Sequence, residues 1–228
     1  MTPSRPSTTP GSARIRVRLR RVGAVGAVGA LAIALLIGVA ACGDDADDAP
    51  SASRTASNGD VFNDADVAFA TEMIQHHAQA LSMVDLADGR PLDPEVHQLA
   101  DEIRAAQSPE IETMSSWLTA WDEEVPATMR DHSNAGHHAG GDISEQMEGM
   151  ETDMPGMMSG EEMDELQDAS DREFQELWLS MMVEHHRGAV EMARTEQDQG
   201  ELAEVVALAE AIESAQEREI ETMESLLD

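Results

Sequence analysis

MIQHHAQALSM, residues 73–83, is written a second time in the chain as MVEHHRGAVEM, residues 182–192. Five positions recur: Met73, His76, His77, Ala80 and Met83 against Met182, His185, His186, Ala189 and Met192. At about 100° per residue these five cover roughly a third of a helical circumference. Each copy therefore presents two thioethers and two imidazoles as one stripe on one face. Nothing around either copy alternates with period two, and there is no tyrosine in the chain. The stretch reads as helix, and its duplication predicts two similar helical halves.

Outward from the first copy, Val67, Ala70, Met73, Ile74, His77, Leu81 and Val84 recur at spacings of three and four, predicting a helix from about Asn63. Gly89 and Pro91 end it. Asp93-Pro94-Glu95 opens a second helix as a cap, a proline in the first turn and an acid beside it, running to about Trp121 with Pro109 expected to kink it. Ser159-Gly160-Glu161-Glu162 has the form of a capping box and predicts a third helix to about Gln199. Gly200 breaks it, and residues 201–227 form a fourth. A shift of 109 residues aligns 64–119 on 173–228 without a gap, with 19 of 56 positions identical, among them Glu110-Ile111-Glu112-Thr113-Met114 against Glu219-Ile220-Glu221-Thr222-Met223. Identity at that level without a gap marks an internal duplication of a helical hairpin. The expected fold is all-α, one four-helix bundle over 63–228 made of hairpin repeats 63–122 and 161–228.

Imidazole binds copper, zinc, iron and nickel, whereas thioether sulfur favours Cu(I) and Ag(I). A set without cysteine that mixes both leans toward copper. The candidate ligands are Met73, His76, His77, Met83, Met182, His185, His186 and Met192. Adjacent histidines diverge by about 100° on a helix, so one of each pair is expected to face the core and the other a neighbouring helix. The competing reading is core packing, since methionine at helical spacing fills cores. Core filling needs volume, however, and does not need a histidine pair in both copies. Gln107 and Glu110, with Gln216 and Glu219, form a polar seam on the second and fourth helices that can hold ligand imidazoles from behind; solvated helix faces are the alternative.

Residues 123–160 lose the apolar period and read as a linker. They carry His132, His137 and His138, then Met147, Met150, Met154, Met157 and Met158, flanked by Met129 and Met163. Flexible thioethers of this kind suit Cu(I) capture; a linker that is merely methionine-rich is the alternative.

Six arginines and no acid in the first 21 residues precede an apolar run from Val22 to Ala41, closed by Val39-Ala40-Ala41-Cys42-Gly43. This is the grammar of an export signal over 1–41, and it resembles a bacterial lipobox with Cys42, the chain's single cysteine, as the lipidated residue. An uncleaved membrane anchor is the alternative. Residues 42–62 read as a flexible tether. With one cysteine no disulfide forms within the chain. Beyond residue 41, eight arginines face 46 acidic residues and there is no lysine. So acidic a body repels nucleic acid and anionic lipid and attracts cations.

These motifs resemble a bacterial family known as domain of unknown function 305. Its helical repeat carries Met-x-x-His-His-x-x-Ala-x-x-Met followed by Ala-x-x-Ile-x-x-x-Gln-x-x-Glu-Ile-x-x-Met. Both stand here twice, at Met73 to Met83 with Ala100 to Met114, and at Met182 to Met192 with Ala209 to Met223. The resemblance implies a ferritin-like bundle, export and, for the family's copper-tolerance members, binding of copper by Met and His. The Glu-x-x-His motif of di-iron ferritin-like enzymes is absent from both halves, which disfavours iron chemistry. The expectation is an exported lipoprotein on the outer face of a bacterial membrane, binding copper as Cu(I), or Ag(I), for buffering, tolerance or relay. Its alternatives are a redox metalloenzyme and an acidic interaction module without metal.

Overall fold

The structure is a computed structural model that describes residues 52–134, 143–147 and 153–228. Cys42, the apolar run before it, His137, His138 and Met150 lie outside the described residues, as does the side chain of His132.

Helix α1 (Asp64–Ala87) begins where the side chain of Asn63 accepts the amides of Ala65 and Asp66, while Asp66 accepts the amide of Asn63 at 2.7 Å. That reciprocal pair satisfies donors that every helix start leaves open. Past its end Gly89 takes φ +78°, a turn that a side chain would strain. Helix α2 (Pro94–Ala120) starts on its proline and continues through Pro109 as one element.

Between the hairpins lie two short helices, α3 (Met129–Asn134) and α4 (Ile143–Gln146). They are followed by α5 (Gly160–Asp168), α6 (Asp171–Gln199) and α7 (Ala203–Leu227). The capping box at Ser159 and Glu162 forms as the sequence predicts. The single helix expected after it is instead two. Arg90 explains the break: its guanidinium donates to the carbonyls of Gln167 and Ala169, the acceptors that end α5, and lies 4.1 Å over the ring of Phe174 at the start of α6. A long-range donor has replaced the next helical turn.

Part of the expected tether is also ordered. Strands β1 (Arg54–Thr55) and β2 (Val61–Phe62) pair antiparallel around Asn58-Gly59. Phe62 stacks on Trp121 at 4.6 Å between ring centroids, and Arg54 pairs with Asp64 and Glu123. Burial of that aromatic pair holds the hairpin against the end of α2. An Asn-Gly turn was the available signal.

Helices α1 and α2 form one hairpin, α6 and α7 the other, and the two meet along α1 and α6. The contact is antiparallel: Asn63 donates to the carbonyl of Gln199 at one end, and Trp178 donates to the carbonyl of Met83 at the other. Apart from that short strand pair, the helical, ferritin-like architecture built from two duplicated hairpins is therefore what the chain adopts. Its apolar interior falls into two clusters. One contains Met73, Met114, Ala189 and Met192, the other Ala80, Met83, Trp178, Met182 and Met223. The linker methionines Met129, Met147, Met158 and Met163 belong to the second cluster and are buried. They pack the core under α3, α4 and α5 rather than standing in solvent. Met154 and Met157 are half-buried.

Among the described residues no helix is long and apolar enough to cross a membrane.

Candidate metal centre

The duplicated stripes meet. His76, on α1, and His185, on α6, face each other across the seam with ring centroids 3.8 Å apart. Antiparallel packing of two copies of one motif also sorts the sulfurs crosswise. Met73 of the first copy joins Met192 of the second in one cluster, and Met83 joins Met182 in the other. The histidines thus form a polar layer between two sulfur-bearing layers. All eight side chains are buried.

The remaining pair points away from the seam toward the partner helix of its own hairpin. His77 donates from Nε2 to Glu110 on α2 at 2.8 Å, and His186 does the same to Glu219 on α7 at 2.7 Å. The divergence of neighbouring side chains on a helix thus sends one ring of each pair to the core seam and the other to a carboxylate. The polar seam of the second and fourth helices is no solvated face: Gln107 and Gln216 are buried one turn before these glutamates.

Hydrogen bonding leaves at least one nitrogen without a partner on every ring. A carbonyl has no proton to give, so His76 donates from Nε2 to Pro155 O at 3.1 Å, and its Nδ1 is the unprotonated nitrogen. In His77 and His186 the glutamates accept from Nε2, and Nδ1 is again the other ring nitrogen. None of these three Nδ1 atoms has a partner, and neither nitrogen of His185 has one. Gln107 Oε1 and Nε2 and Gln216 Oε1 are also unpaired. Buried polar atoms are ordinarily satisfied, and each orphan costs about 1–3 kcal/mol. Gln107 Nε2 and one nitrogen of a neutral His185 are donors; the other orphans are atoms able to offer a lone pair.

Charge does not satisfy the rings at the seam. Burial first, then the neighbouring imidazoles, pushes His76 down to about 3, with the Pro155 carbonyl opposing; burial and then the imidazoles of His76, His186 and His77 push His185 well below its ordinary value, with the backbone of His76 opposing. Both rings are neutral at physiological pH, the state in which imidazole coordinates metal. Among the described residues no three His, Cys, Asp or Glu side chains are placed to hold an ion on their own. The flanking thioethers are the other donor type at this level, and thioether sulfur favours soft ions.

A strap over residues 153–159 crosses the seam at this level, and the residues that seat it are absent from the sequence-derived candidate set. The side chain of Gln79 clamps the backbone of Met158, accepting its amide at 2.7 Å and donating to its carbonyl at 2.8 Å. Gly188 faces Pro155: a Cβ on Gly188 would stand 1.9 Å from the Pro155 carbonyl oxygen. Gly156 holds φ +71° against the Glu184 carbonyl. Gln79 and Gly188 occupy the same repeat position. It is one of six positions at which the two eleven-residue copies differ, so the sequence did not single it out; one strap cannot meet both halves identically.

A groove of about 500 Å³ along α6 and α7 is walled by Arg187 and Arg194, both ion-paired to glutamates, and none of the four histidines lines it.

Comparison with known proteins adds the following. The model of a family described as a domain of unknown function (DUF305) matches residues 66–227. Among solved structures, a candidate secreted DUF305 protein from Streptomyces coelicolor is 31% identical, with a TM-score of 0.58 over 72% of this chain and 91% of that one. A DUF305 fragment from Deinococcus radiodurans is 28% identical, with a TM-score of 0.57 over 76% of this chain and 98% of that one. CopM in its Cu(II)-bound form is 27% identical, with a TM-score of 0.54 over 71% of this chain and 95% of that one. CopM is also known in Cu(I)-bound and Ag-bound forms. No curated protein matches the chain.

Proposed function

The chain belongs to the DUF305 family, and from that premise we propose that it is an exported protein, lipid-anchored at Cys42, that binds copper as Cu(I), and Ag(I) in its place, for buffering or relay outside the cytoplasm. The observation that carries the proposal is the layer of unpartnered ring nitrogens at the α1–α6 seam, flanked on both sides by paired thioethers. Met73, His76, Met83, Met182, His185 and Met192 supply the donors along the seam. His77 and His186 add theirs from orientations set by Glu110 and Glu219. CopM, of similar fold, binds copper and silver, which supports the choice of ion.

Export rests on the arginine-rich start, the apolar run and the lipobox-like close at Cys42. The anchor retains the ion-binding domain at the membrane. Radiolabelled fatty acid incorporated by the wild type and not by C42S supports lipidation; equal labelling overturns it.

The metal assignment is tested by titrating the mature domain with Cu(I) against a competing chelator. The wild type is expected to take the ion from the chelator, and a variant with His76, His77, His185 and His186 changed to Ala to lose that ability while remaining helical. No competition by the wild type, or undiminished competition by the variant, refutes the assignment.

A further inference from the structure

A buried site needs a way in, and one end of the seam is open. Between the first half of α1 and the last half of α6 lies a cleft of about 250 Å³ lined by Phe69, Glu72, Pro155, Glu191, Met192 and Glu196 among others. Two of its walls belong to the centre already described. Met192 is the sulfur that closes the second stripe, and Pro155 carries the carbonyl bonded to His76. Three glutamates stand around them.

Packing does not ask for those glutamates. At the 109-residue offset of the duplication, Glu72, Glu191 and Glu196 correspond to Met181, Ser82 and Ala87. The same bundle position is thus filled in the other half by an apolar, a small hydroxyl and a methyl side chain. At that end Met181 and Ala87 are buried in the apolar core that also takes in the linker methionines. The carboxylates were added on one side only.

Glu196 is the least expected of the three. It is 1% exposed, and neither of its carboxyl oxygens accepts a hydrogen bond. Its close neighbours are a second carboxyl group, Asp66, and Gly200, whose missing side chain leaves room for it. Asp66 is satisfied by the amides of Asn63, Glu201 and Leu202, so it offers Glu196 no donor. A buried carboxyl without donors keeps a proton, or gives it up to a cation that comes close enough to replace it.

We propose that this cleft is a cation-capture site and the port through which a soft monovalent ion reaches the buried centre, with Glu72 and Glu191 drawing the ion in, the buried Glu196 carboxyl offering it oxygen beside them and Met192 the first sulfur it meets. The proposal rests on the soft-metal reading of the stripes. Carboxylates hold such an ion weakly, which suits a waypoint: a cleft of one charge sign concentrates counter-ions and speeds association without setting the final affinity. The ion then passes beneath Pro155 to His76 and His185.

Binding kinetics test this in the mature domain, with Ag(I) as the probe and tryptophan fluorescence in stopped flow as the readout. The variant E72Q/E191Q/E196Q removes the charges of Glu72 and Glu191 and the carboxyl of Glu196 and keeps the shapes. At low ionic strength its association rate is expected to fall about 10-fold or more, while its equilibrium affinity for Ag(I), measured by chelator competition, stays within about twofold. A control, E95Q/D101N/E102Q, neutralises three exposed acids on α2 and is expected to leave the rate near wild type, which separates the cleft from the overall negative charge. Should the first variant fail to fold by circular dichroism, E72Q/E191Q carries the same comparison. An unchanged rate in the cleft variant, or an equal loss in the control, overturns the port while leaving the buried centre standing. Failure of the wild type to bind Ag(I) at all overturns the buried centre and the port with it.

Discussion

The imidazoles of His76 and His185 lie 3.8 Å apart, centroid to centroid, with their planes inclined by 38° and no solvent exposure beyond 1%. Two rings so close in a poorly polarisable interior cannot both carry a proton without strong repulsion. Each helix of the seam contributes one of them from the same place in its copy of the motif. The duplication therefore brings together two neutral nitrogen donors that a single hairpin could not.

Acid should destabilise the metal-free domain through this pair. Both rings are held below the ordinary value of 6.5, His76 at about 3. The unfolded chain takes up these protons first, so the contribution is complete above pH 6.5 and is lost as pH falls from there toward 3. Thermal melts between pH 7 and 4 are expected to show a steeper fall for the apo wild type than for H76Q/H185Q, in which neither position titrates. Parallel curves would contradict the neutral-pair description.

The glutamates behind His77 and His186 make a second prediction. E110A or E219A removes the acceptor of a buried ring N–H, and each should cost about 1–3 kcal/mol of stability in urea unfolding. Loss of the orienting carboxylate should also weaken Cu(I) binding by about 10–100-fold in chelator competition. E110Q and E219Q keep an acceptor and should recover stability more fully than affinity. A variant that loses stability with Cu(I) affinity intact would mean that the carboxylates serve packing alone.

How much of this was legible in the residues varies with the range of the interaction that decides each feature. Periodicity, caps and the 109-residue duplication are local or self-referential, so the four long helices, the all-α class and the grouping of the stripes follow from them. The Glu110 and Glu219 contacts were within reach because the repeat writes histidine pair and glutamate in the same register twice. Arg90 ending α5, Trp121 receiving Phe62, and the strap seated on Gln79 and Gly188 depend on residues more than 30 positions away. No window of sequence holds both partners. The linker methionines show the reverse limit: composition suggests a loose soft-metal tract, and burial of Met147 and Met158 under the short helices is decided by tertiary packing.

Gly188 should be intolerant of any side chain. A Cβ there would stand 1.9 Å from the carbonyl oxygen and 2.7 Å from the Gly156 amide, both backbone atoms of the strap, so the strap must lift. G188A is expected to lower stability by about 1–3 kcal/mol and to raise amide hydrogen exchange across residues 154–158, where Met158 is otherwise clamped by Gln79. Unchanged exchange in that segment would refute the seating described here.

Glu196 supplies the last prediction, with the opposite sign to the histidines. Burial, and then the neighbouring Asp66 carboxylate, to which Glu196 can donate only when protonated and which repels its charge, raise its carboxyl from 4.5 to about 8. The folded protein therefore keeps a proton that the unfolded chain has shed across the whole interval between those values. Its contribution is complete below pH 4.5 and declines as pH rises toward 8, after which it levels off. A shift of this size corresponds to at most about 5 kcal/mol, and part of it is relieved if the end of α6 loosens around Gly200. In E196Q the position no longer titrates and the amide can donate to Asp66. The difference in unfolding free energy between variant and wild type should therefore widen in favour of the variant from pH 5 to pH 8.5, because other titrating groups cancel in the comparison. The measurement is urea unfolding of both proteins in metal-free buffer at those two values. A difference that does not change with pH would mean that the Glu196 carboxyl is as readily ionised in the fold as in the open chain, and that its burial against Asp66 has been misread.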